Sequence, residues 1–277
     1  HLDYYKNYNN LKNAFSSFIE KTPPIGKTLV CIDNNDLKQI IKKIKTKNYL
    51  TYGFDKDSNY QILNANYELN YSEFDLKIKN VSSKITFIKN IYLNLMGKHN
   101  IMNASAAISV CLNLGIKPSI IKNALKNYSG VQRRLTKVFQ KNKIEFYDDY
   151  AHHPTEIKSV LEGIKKISKE RKIIVIFQPH RYSRIKILKK EFSSCFKNAD
   201  IVILCPVYAA GEKKDKKYDA LKFSRLIKKF SKVQVINGEN ENDICNYFKK
   251  NLKDSEIVIG MGAGSISKWI NNFKDKL

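Results

Sequence analysis

The sequence predicts an α/β fold with two domains, and two observations support that prediction. From Gly130 to the end of the 277 residues, short apolar runs alternate with amphipathic stretches at helical spacing, a pattern typical of a wound, mostly parallel sheet. Between Tyr60 and Leu95, apolar and polar residues alternate, which indicates short antiparallel strands. Hydrophobic residues make up 43% of the chain, enough to fill a core in each part.

The first predicted domain occupies residues 1–129 and mixes helices with a sheet. One face of its first helix is expected to consist of Leu11, Ala14, Phe15 and Phe18. The expected elements, in chain order, are a helix ending near residue 20, a strand at 27–33, a helix at 34–45, a strand at 49–54, three antiparallel strands within 60–95, an Ala-rich helix at 100–114 and a helix at 118–128.

The second predicted domain occupies residues 130–277 and is Rossmann-like, because strands alternate with helices throughout. Apolar runs predict strands at 143–147, 172–177, 200–205, 232–236 and 256–260. Helical spacing predicts helices at 154–170, 185–197, 218–230, 241–252 and from Ser265 onwards.

Two polar loops each follow a predicted strand of the second domain. The first contains DDYAHHPTE at 148–156, and the second contains QPHRYSR at 178–184. Because parallel strands present their carboxyl ends at the same edge of a sheet, we expect both loops to line one crevice, and VYAAGE at 207–212 is a further loop at that edge. The alternative is that these side chains only cap strand ends. The crevice is predicted to gather Asp148, Asp149, Tyr150, His152, His153, His180, Arg181 and Arg184.

Three smaller clusters are also candidates. His99, Asn100 and Asn103 open the Ala-rich helix, where backbone N–H groups and side chains can contact a nucleobase or phosphate; alternatively, Asn100 is only an N-cap. Arg133 and Arg134 lie at the domain boundary, from which an arginine can reach a ligand held by the other domain; alternatively, they are one more basic pair. The glycines of 260–265 form a weak phosphate-loop pattern, and tight packing between strand and helix is the favoured explanation.

The composition restricts the partners and the compartment. The formal net charge is +24, but its lysines are dispersed and no nucleic-acid-binding motif is present, so we predict no nucleic-acid partner. The five cysteines are widely spaced without a C-x-x-C pair, which favours free thiols in a reducing compartment. No apolar run approaches the roughly 20 residues that a membrane span needs, and no signal peptide is visible. A cytoplasmic protein without membrane insertion is expected.

Taken together, the motifs resemble the Mur ligase family over essentially the whole chain. The most specific are the two loop motifs, about thirty residues apart, which also favour the members that add L-alanine over those that add a peptide. The resemblance rests on HLD at 1–3, GKHN at 97–100, Asn103, GVQRR at 130–134, DDYAHHPTE at 148–156, FQPHRYSR at 177–184, VYAAGE at 207–212 and GAGSI at 262–266.

The resemblance implies ATP-dependent amide formation between L-alanine and the carboxylate of UDP-N-acetylmuramate, with Mg²⁺ and an acyl-phosphate intermediate. It implies a partial central ATPase-type domain at 1–129 and a Rossmann-like ligase domain at 130–277. Residues expected at the nucleotide are His99, Asn100, Asn103, Arg133, Arg134 and Asp149, with Arg134 reaching the phosphates. His1 is expected to hold a Mg²⁺ ion. Residues expected at the reacting groups are Tyr150, His152, His180, Arg181 and Arg184.

The sequence also departs from the family's pattern. It begins with His1 and contains neither an N-terminal UDP-sugar domain nor a G-x-x-G-K-[ST] phosphate loop. We therefore expect this chain alone to be inactive, and the longer protein to which it belongs to be active. The competing hypotheses are a ligase that adds a peptide, a basic nucleotide- or nucleic-acid-binding module, and a truncated, non-catalytic relative.

Overall fold

The computed structural model describes residues 2–68, 71–79, 85–168, 170–253 and 255–277. The chain divides into two units, His1–Ser129 and Gly130–Leu277, and each is described by itself. Both units combine helices with a sheet, so the predicted α/β class is confirmed.

The first unit is built on a sheet whose strands are ordered β1-β2-β3-β4-β5. The first three strands pair in parallel, whereas β3, β4 and β5 pair antiparallel, as the alternating pattern predicted. Its elements are α1 (Leu2–Tyr5), α2 (Tyr8–Glu20), β1 (Thr28–Cys31), α3 (Asn35–Lys43), β2 (Tyr49–Gly53), β3 (Tyr60–Tyr67), β4 (Ser72–Lys79), β5 (Ile85–Leu93), α4 (Lys98–Asn113) and α5 (Pro118–Asn127).

Helix α4 packs on this sheet with one face made of small and β-branched residues. Its buried positions are Ile101, Ala104, Ser105, Ile108 and Ser109, at helical spacing. The two buried hydroxyls donate to carbonyls one turn earlier, at 2.8 and 2.7 Å, so both are satisfied within the helix. This packing determines where the N-terminus of α4 lies.

The predicted apolar face of helix α2 is wrong, although the helix itself is confirmed. Phe15 and Phe18 are 47% and 71% exposed, and Ile19 is the residue that enters the core, at 3% exposure. Ile19 packs with Val30 of β1 and Ile41 of α3. The helical spacing within α2 does not show which of its apolar residues makes this contact.

The second unit contains a sheet ordered β10-β9-β8-β11-β7-β6. Its pairs are parallel except for β6 with β7, so the mostly parallel sheet is confirmed. Its elements are β6 (Thr136–Lys141), β7 (Ile144–Asp149), α6 (Pro154–Ile167), β8 (Ile173–Phe177), α7 (Tyr182–Ile187), α8 (Lys189–Ser194), β9 (Ile201–Leu204), α9 (Ala220–Ser231), β10 (Gln234–Asn237), α10 (Glu241–Asn251), β11 (Ile257–Met261) and α11 (Ile266–Lys276).

Three details of the second unit differ from the sequence prediction. Strand β6 was not predicted, and it pairs antiparallel at the sheet edge. Asp148 and Asp149 end strand β7 instead of beginning the loop. The helix predicted at 185–197 is two short helices, α7 and α8, which meet at Leu188.

Candidate functional site

The two predicted polar loops lie at the same edge of the second sheet, and the loop after β11 lies between them. The backbone shows this arrangement: Gly262 donates to the Asp149 carbonyl at 3.2 Å, and Gln178 donates to the Met261 carbonyl at 3.0 Å. Strand β11 therefore separates β7 from β8, although the sequence places it last. Open α/β sheets bind ligands outside the carboxyl ends of their strands, at the point where the order in which the chain adds strands reverses.

The glycine loop after β11 is shaped by close packing. The side chain of Gln178 accepts from the Ile266 amide at 3.1 Å and donates to the Ser265 hydroxyl at 2.9 Å, which ties the loop to the end of β8. A Cβ atom on Gly264 would lie 2.5 Å from Gln178 Oε1 and 2.5 Å from Cγ of Tyr208. The loop thus fits the packing explanation predicted for these glycines.

This crowding leads to a stability prediction with a matched control. Gly264→Ala is expected to destabilise the chain by about 1–3 kcal/mol, because the added methyl group must displace the buried Gln178 side chain and the Tyr208 ring. Gly163→Ala is expected to stabilise it by roughly 0.5–1 kcal/mol, because the added Cβ meets nothing within 4 Å in helix α6. Urea unfolding of both variants measures the difference, and equal shifts of their midpoints would contradict the packing argument.

Four rings from three loops form a row along this edge. Tyr150 and His152 lie 5.0 Å apart between ring centroids, and His152 lies 5.7 Å from His180. His180 in turn stacks on Tyr208, with centroids 5.6 Å apart and planes 19° from parallel. Arg184 approaches His180, with Nη1 3.4 Å from Nδ1. The structure therefore brings together four of the predicted catalytic residues, namely Tyr150, His152, His180 and Arg184.

His152 is oriented by its own loop. Its Nδ1 lies 2.8 Å from the Tyr150 carbonyl oxygen, and because that oxygen only accepts, Nδ1 must carry the proton in this contact. The neutral ring then has Nε2 as its acceptor. Its neighbour His153 is instead the N-cap residue of helix α6, where it forms a capping box with Glu156.

His180 is held in its neutral form. The pKa of His180 is lowered to about 4, chiefly by burial and next by the positive charge of Arg184. His152 and Arg181 add to this effect, whereas Glu212 opposes it. At neutral pH the imidazole is therefore a neutral hydrogen-bonding group and a weak base.

The neutral state of His180 gives a pH prediction. Arg184→Leu is expected to raise the pKa of His180 from about 4 part of the way to 6.5, since the charge is removed while the burial remains. NMR titration of the imidazole nitrogens measures this shift. Lys186→Leu, which removes an exposed charge from the same helix, is the control and should leave the titration unchanged. A His180 that titrates near 6.5 before any substitution would contradict the assignment.

Arg181 has an unusual backbone and an unpaired buried donor. Its φ angle is +69°, in the left-handed region that non-glycine residues seldom adopt. Its amide donates to the Tyr208 carbonyl at 2.9 Å. Its Nε is buried, and within the described parts of the chain no acceptor reaches it. A buried donor of this kind is costly unless a ligand or water satisfies it, which makes Arg181 a candidate binding residue.

The two arginines at the start of the second unit have different environments. Arg133 donates to the Gly262 carbonyl at 2.6 Å and lies over the Tyr150 ring at 4.7 Å. Arg134 is exposed, and its guanidinium carbon lies 5.8 Å from the same ring centroid. Arg133 is thus tied to the loops of its own unit, whereas Arg134 is available for a ligand.

The two aspartates that end β7 are buried. Asp149 accepts from the Leu135 and Ala151 amides, each at 2.7 Å, so both of its carboxylate oxygens bind backbone. Burial raises the pKa of Asp149 to about 6 despite these bonds. Asp148 accepts from the Ser267 hydroxyl and lies 3.8 Å from Arg133 Nε. These contacts give Asp149 a structural role, and its predicted nucleotide contact stays a prediction.

The remaining predicted nucleotide residues lie in the first turns of α4. The helix begins at Lys98 and not at Asn100, so the alternative that Asn100 is an N-cap is wrong. Gly97 precedes the helix with φ +95°, and a Cβ there would come within 3.2 Å of the His99 ring. Asn100 donates to the Met96 carbonyl at 2.9 Å, whereas Asn103 is exposed. His99 and Asn100 are partly exposed.

The predicted Mg²⁺ site involves His1. His1 lies outside the described residues, and within those residues no group of three or more His, Cys, Asp or Glu side chains is arranged to hold a metal ion. His1 as a Mg²⁺ ligand therefore stays a prediction. None of the helices in the described ranges has the length and apolar character needed to cross a membrane.

The two units correspond to two successive domains of one class of α/β enzyme. Residues 1–111 match the model of the Mur ligase middle domain, and residues 133–264 match that of the Mur ligase glutamate ligase domain. The chain belongs to the Mur ligase family.

Two curated relatives illustrate the similarity. A UDP-N-acetylmuramate–L-alanine ligase of Pelagibacter ubique is 46% identical over 99% of this chain, and one of Rickettsia bellii is 38% identical over 100%. The chain spans 59% of the length of each. Among solved structures, the UDP-N-acetylmuramate–alanine ligase of Thermotoga maritima has a TM-score of 0.74 at 22% identity, covering all of this chain and 56% of that one. That structural likeness supports the fold.

Proposed function

We propose that this chain is part of a cytoplasmic, ATP-dependent ligase that joins L-alanine to the carboxylate of UDP-N-acetylmuramate, a step in the synthesis of peptidoglycan precursors. Residues 1–129 would supply the C-terminal part of the ATP-binding domain, and residues 130–277 the ligase domain. The observation that carries the proposal is the contact of Tyr150, His152, His180 and Arg184 at one sheet edge. The relatives at 46% and 38% identity agree with it.

The reaction sets the chemical requirements of the site. A carboxylate resists attack by an amine, so ATP first transfers a phosphoryl group to it and forms an acyl phosphate. The amine then attacks the acyl carbon, and phosphate leaves from the tetrahedral intermediate. Cationic side chains that meet the developing negative charge lower the barrier to both steps.

Arg181 and Arg184 would bind the carboxylate of L-alanine. A guanidinium presents parallel N–H donors that match the two oxygens of a carboxylate. Arg181 has a buried Nε without a partner in the described part of the chain, and Arg184 lies 3.4 Å from His180. A carboxylate held there would place the amino group of the amino acid near the row of rings.

His152 is the better candidate for the base that removes a proton from the attacking ammonium group. Its Nδ1 is engaged with the Tyr150 carbonyl at 2.8 Å, which directs the acceptor role to Nε2. His180, with a pKa of about 4, is too weak a base to compete at neutral pH. We therefore assign His180 to hydrogen bonding and His152 to proton transfer.

Two regions, one in each unit, are separate candidates for contacts with the nucleotide: Arg134 and the start of α4. Arg134 is exposed and would contact the ATP phosphates. The N-terminus of α4 has the positive end of the helix dipole, and the exposed Asn103 lies one turn from Asn100. By the family resemblance, His99, Asn100 and Asn103 would contact the nucleotide on its adenine side, and Mg²⁺ is expected to accompany ATP.

Two other functions compete with this proposal. A ligase that adds a peptide would use the same acyl-phosphate chemistry, but both curated relatives described above are named as L-alanine ligases. A basic nucleotide- or nucleic-acid-binding module would use the net charge of +24. That module would bind oligonucleotides with steep salt dependence and would not respond to an amino acid.

The test is ADP release by the full-length protein that contains this chain. The assay supplies ATP, Mg²⁺ and UDP-N-acetylmuramate, with L-alanine, glycine, L-serine or a tripeptide in parallel. We expect L-alanine to stimulate ADP release most. Stimulation by the tripeptide alone would favour the peptide-adding ligase, and a folded protein without amino-acid-dependent release would refute the ligase proposal.

A further inference from the structure

The loop after β9 holds the segment 179–184 through its backbone. Tyr208 donates its amide to the Pro179 carbonyl at 2.8 Å, and Arg181 donates its amide to the Tyr208 carbonyl at 2.9 Å. These bonds continue the pairing of β8 with β9 beyond the strand ends, as an isolated parallel bridge between His180 and Tyr208. The Tyr208 ring, which is 42% exposed, also stacks on His180.

Glu212, in the same loop, binds the segment through a side chain. Its carboxylate accepts from the Ser183 amide at 3.1 Å and also from the Ser183 hydroxyl. Burial acts to raise the pKa of Glu212, but the hydrogen bonds from Ser183 and from the backbone of Tyr182, together with the charge of Arg181, outweigh it and hold that pKa below its ordinary value. Glu212 is therefore an anion that receives two hydrogen bonds from one residue.

Ser183 lies between the two arginines that the proposed function assigns to the amino acid. Arg181 has a φ angle of +69°, a conformation that persists only where surrounding contacts enforce it. Helix α7 begins at Tyr182 and carries Arg184 in its first turn. A contact that fixes Ser183 consequently fixes both arginines at once.

We propose that Glu212 is a positioning residue for the amino-acid substrate: by holding Ser183, it keeps Arg181 and Arg184 oriented to bind the substrate carboxylate. Glu212 itself is not assigned any contact with the substrate, since Ser183 takes both of its oxygens. This inference rests on the proposed function, because it concerns the same site. Neither Tyr208 nor Glu212 was among the residues predicted as catalytic or binding, although their loop was predicted to lie at this edge.

The test uses the full-length protein and four variants. Glu212→Ala removes both acceptors, Glu212→Gln keeps an acceptor oxygen without the charge, Ser183→Ala removes the hydroxyl, and Lys213→Ala is a control on the neighbouring exposed residue. For Glu212→Ala we expect the KM for L-alanine to rise about 10–100-fold, the size of effect known for residues that orient metal ligands from behind, while the KM for ATP changes less than about twofold. Glu212→Gln and Ser183→Ala should fall between this variant and the wild type, and Lys213→Ala should match the wild type.

A second measurement does not depend on activity. Hydrogen exchange at the backbone amides of residues 182–187 should accelerate in Glu212→Ala and stay near the wild-type rate in Glu212→Gln. Unchanged exchange in Glu212→Ala would overturn the positioning role, and so would a parallel rise of both KM values or a Gln variant as impaired as the Ala variant. Wild-type protein without L-alanine-dependent ADP release would instead refute the proposed function, and the exchange result would still decide whether Glu212 holds the segment.

Discussion

Arg181→Ala in the full-length protein is expected to reduce kcat/KM for L-alanine about 10²- to 10³-fold. Removing one partner of a buried, charge-paired hydrogen bond costs roughly 2–5 kcal/mol, and each 1.4 kcal/mol is about a factor of ten. Arg181 would fit that description in the proposed complex, because its buried Nε lacks an acceptor within the described residues and would pair with the substrate carboxylate. Initial rates of ADP release over a range of L-alanine concentrations measure the effect.

The controls for this prediction separate charge from geometry. Lys186→Ala removes an exposed positive charge from helix α7 and should leave kcat/KM within about twofold of the wild type, because exposed charges contribute little. Arg181→Lys keeps the charge but loses the planar pair of donors, so it should recover only part of the activity. An Arg181→Ala variant with normal kinetics would exclude Arg181 from the amino-acid site.

Most elements of the fold could be predicted because their signals are local. Helix α4 is recognisable from small and apolar residues at helical spacing, and strand β8 from a continuous apolar run that is buried throughout. The antiparallel strands of the first unit could be predicted for the same reason, since β4 alternates between buried and less buried residues. In each case the pattern reports directly which side of the element faces a core.

The features that were missed depend on contacts between distant residues. Strand β6 has no fully buried position, so its sequence has no clear period, and pairing with β7 is what makes it a strand. The break at Leu188 occurs without proline or glycine. The insertion of β11 between β7 and β8 is a matter of strand order, which spacing along the chain does not specify.

The same distinction applies to the candidate site. The types of residue and their place after predicted strands could be read from the sequence. Their gathering at one edge could be predicted because parallel strands present their carboxyl ends together. The contributions of Tyr208 and Glu212 could not, since each acts on a segment that is about thirty residues away. The family resemblance singled out Arg134 for the phosphates, but nothing in the spacing of the sequence shows that its neighbour Arg133 is bound to Gly262.

That difference between the two arginines gives the second large prediction. Arg134→Ala is expected to reduce the rate of ADP release about 10³-fold, since an arginine on a transferring phosphoryl group contributes roughly 10³ to 10⁵ in rate. Its unfolding temperature should stay unchanged, because Arg134 is exposed and its ring contact with Tyr150 is long, at 5.8 Å. Steady-state ADP assays and thermal unfolding, performed on the same preparation, measure both quantities.

Arg133→Ala is the matched comparison and should show the opposite profile. Its loss removes the bond to the Gly262 carbonyl and the contact with the Tyr150 ring, which together stabilise the loops by about 1–2 kcal/mol. We therefore expect a lower unfolding temperature and a smaller loss of activity than in Arg134→Ala. If Arg133→Ala were the more damaging to activity at unchanged stability, Arg133 would be the phosphate-binding residue and the assignment of the pair would be reversed.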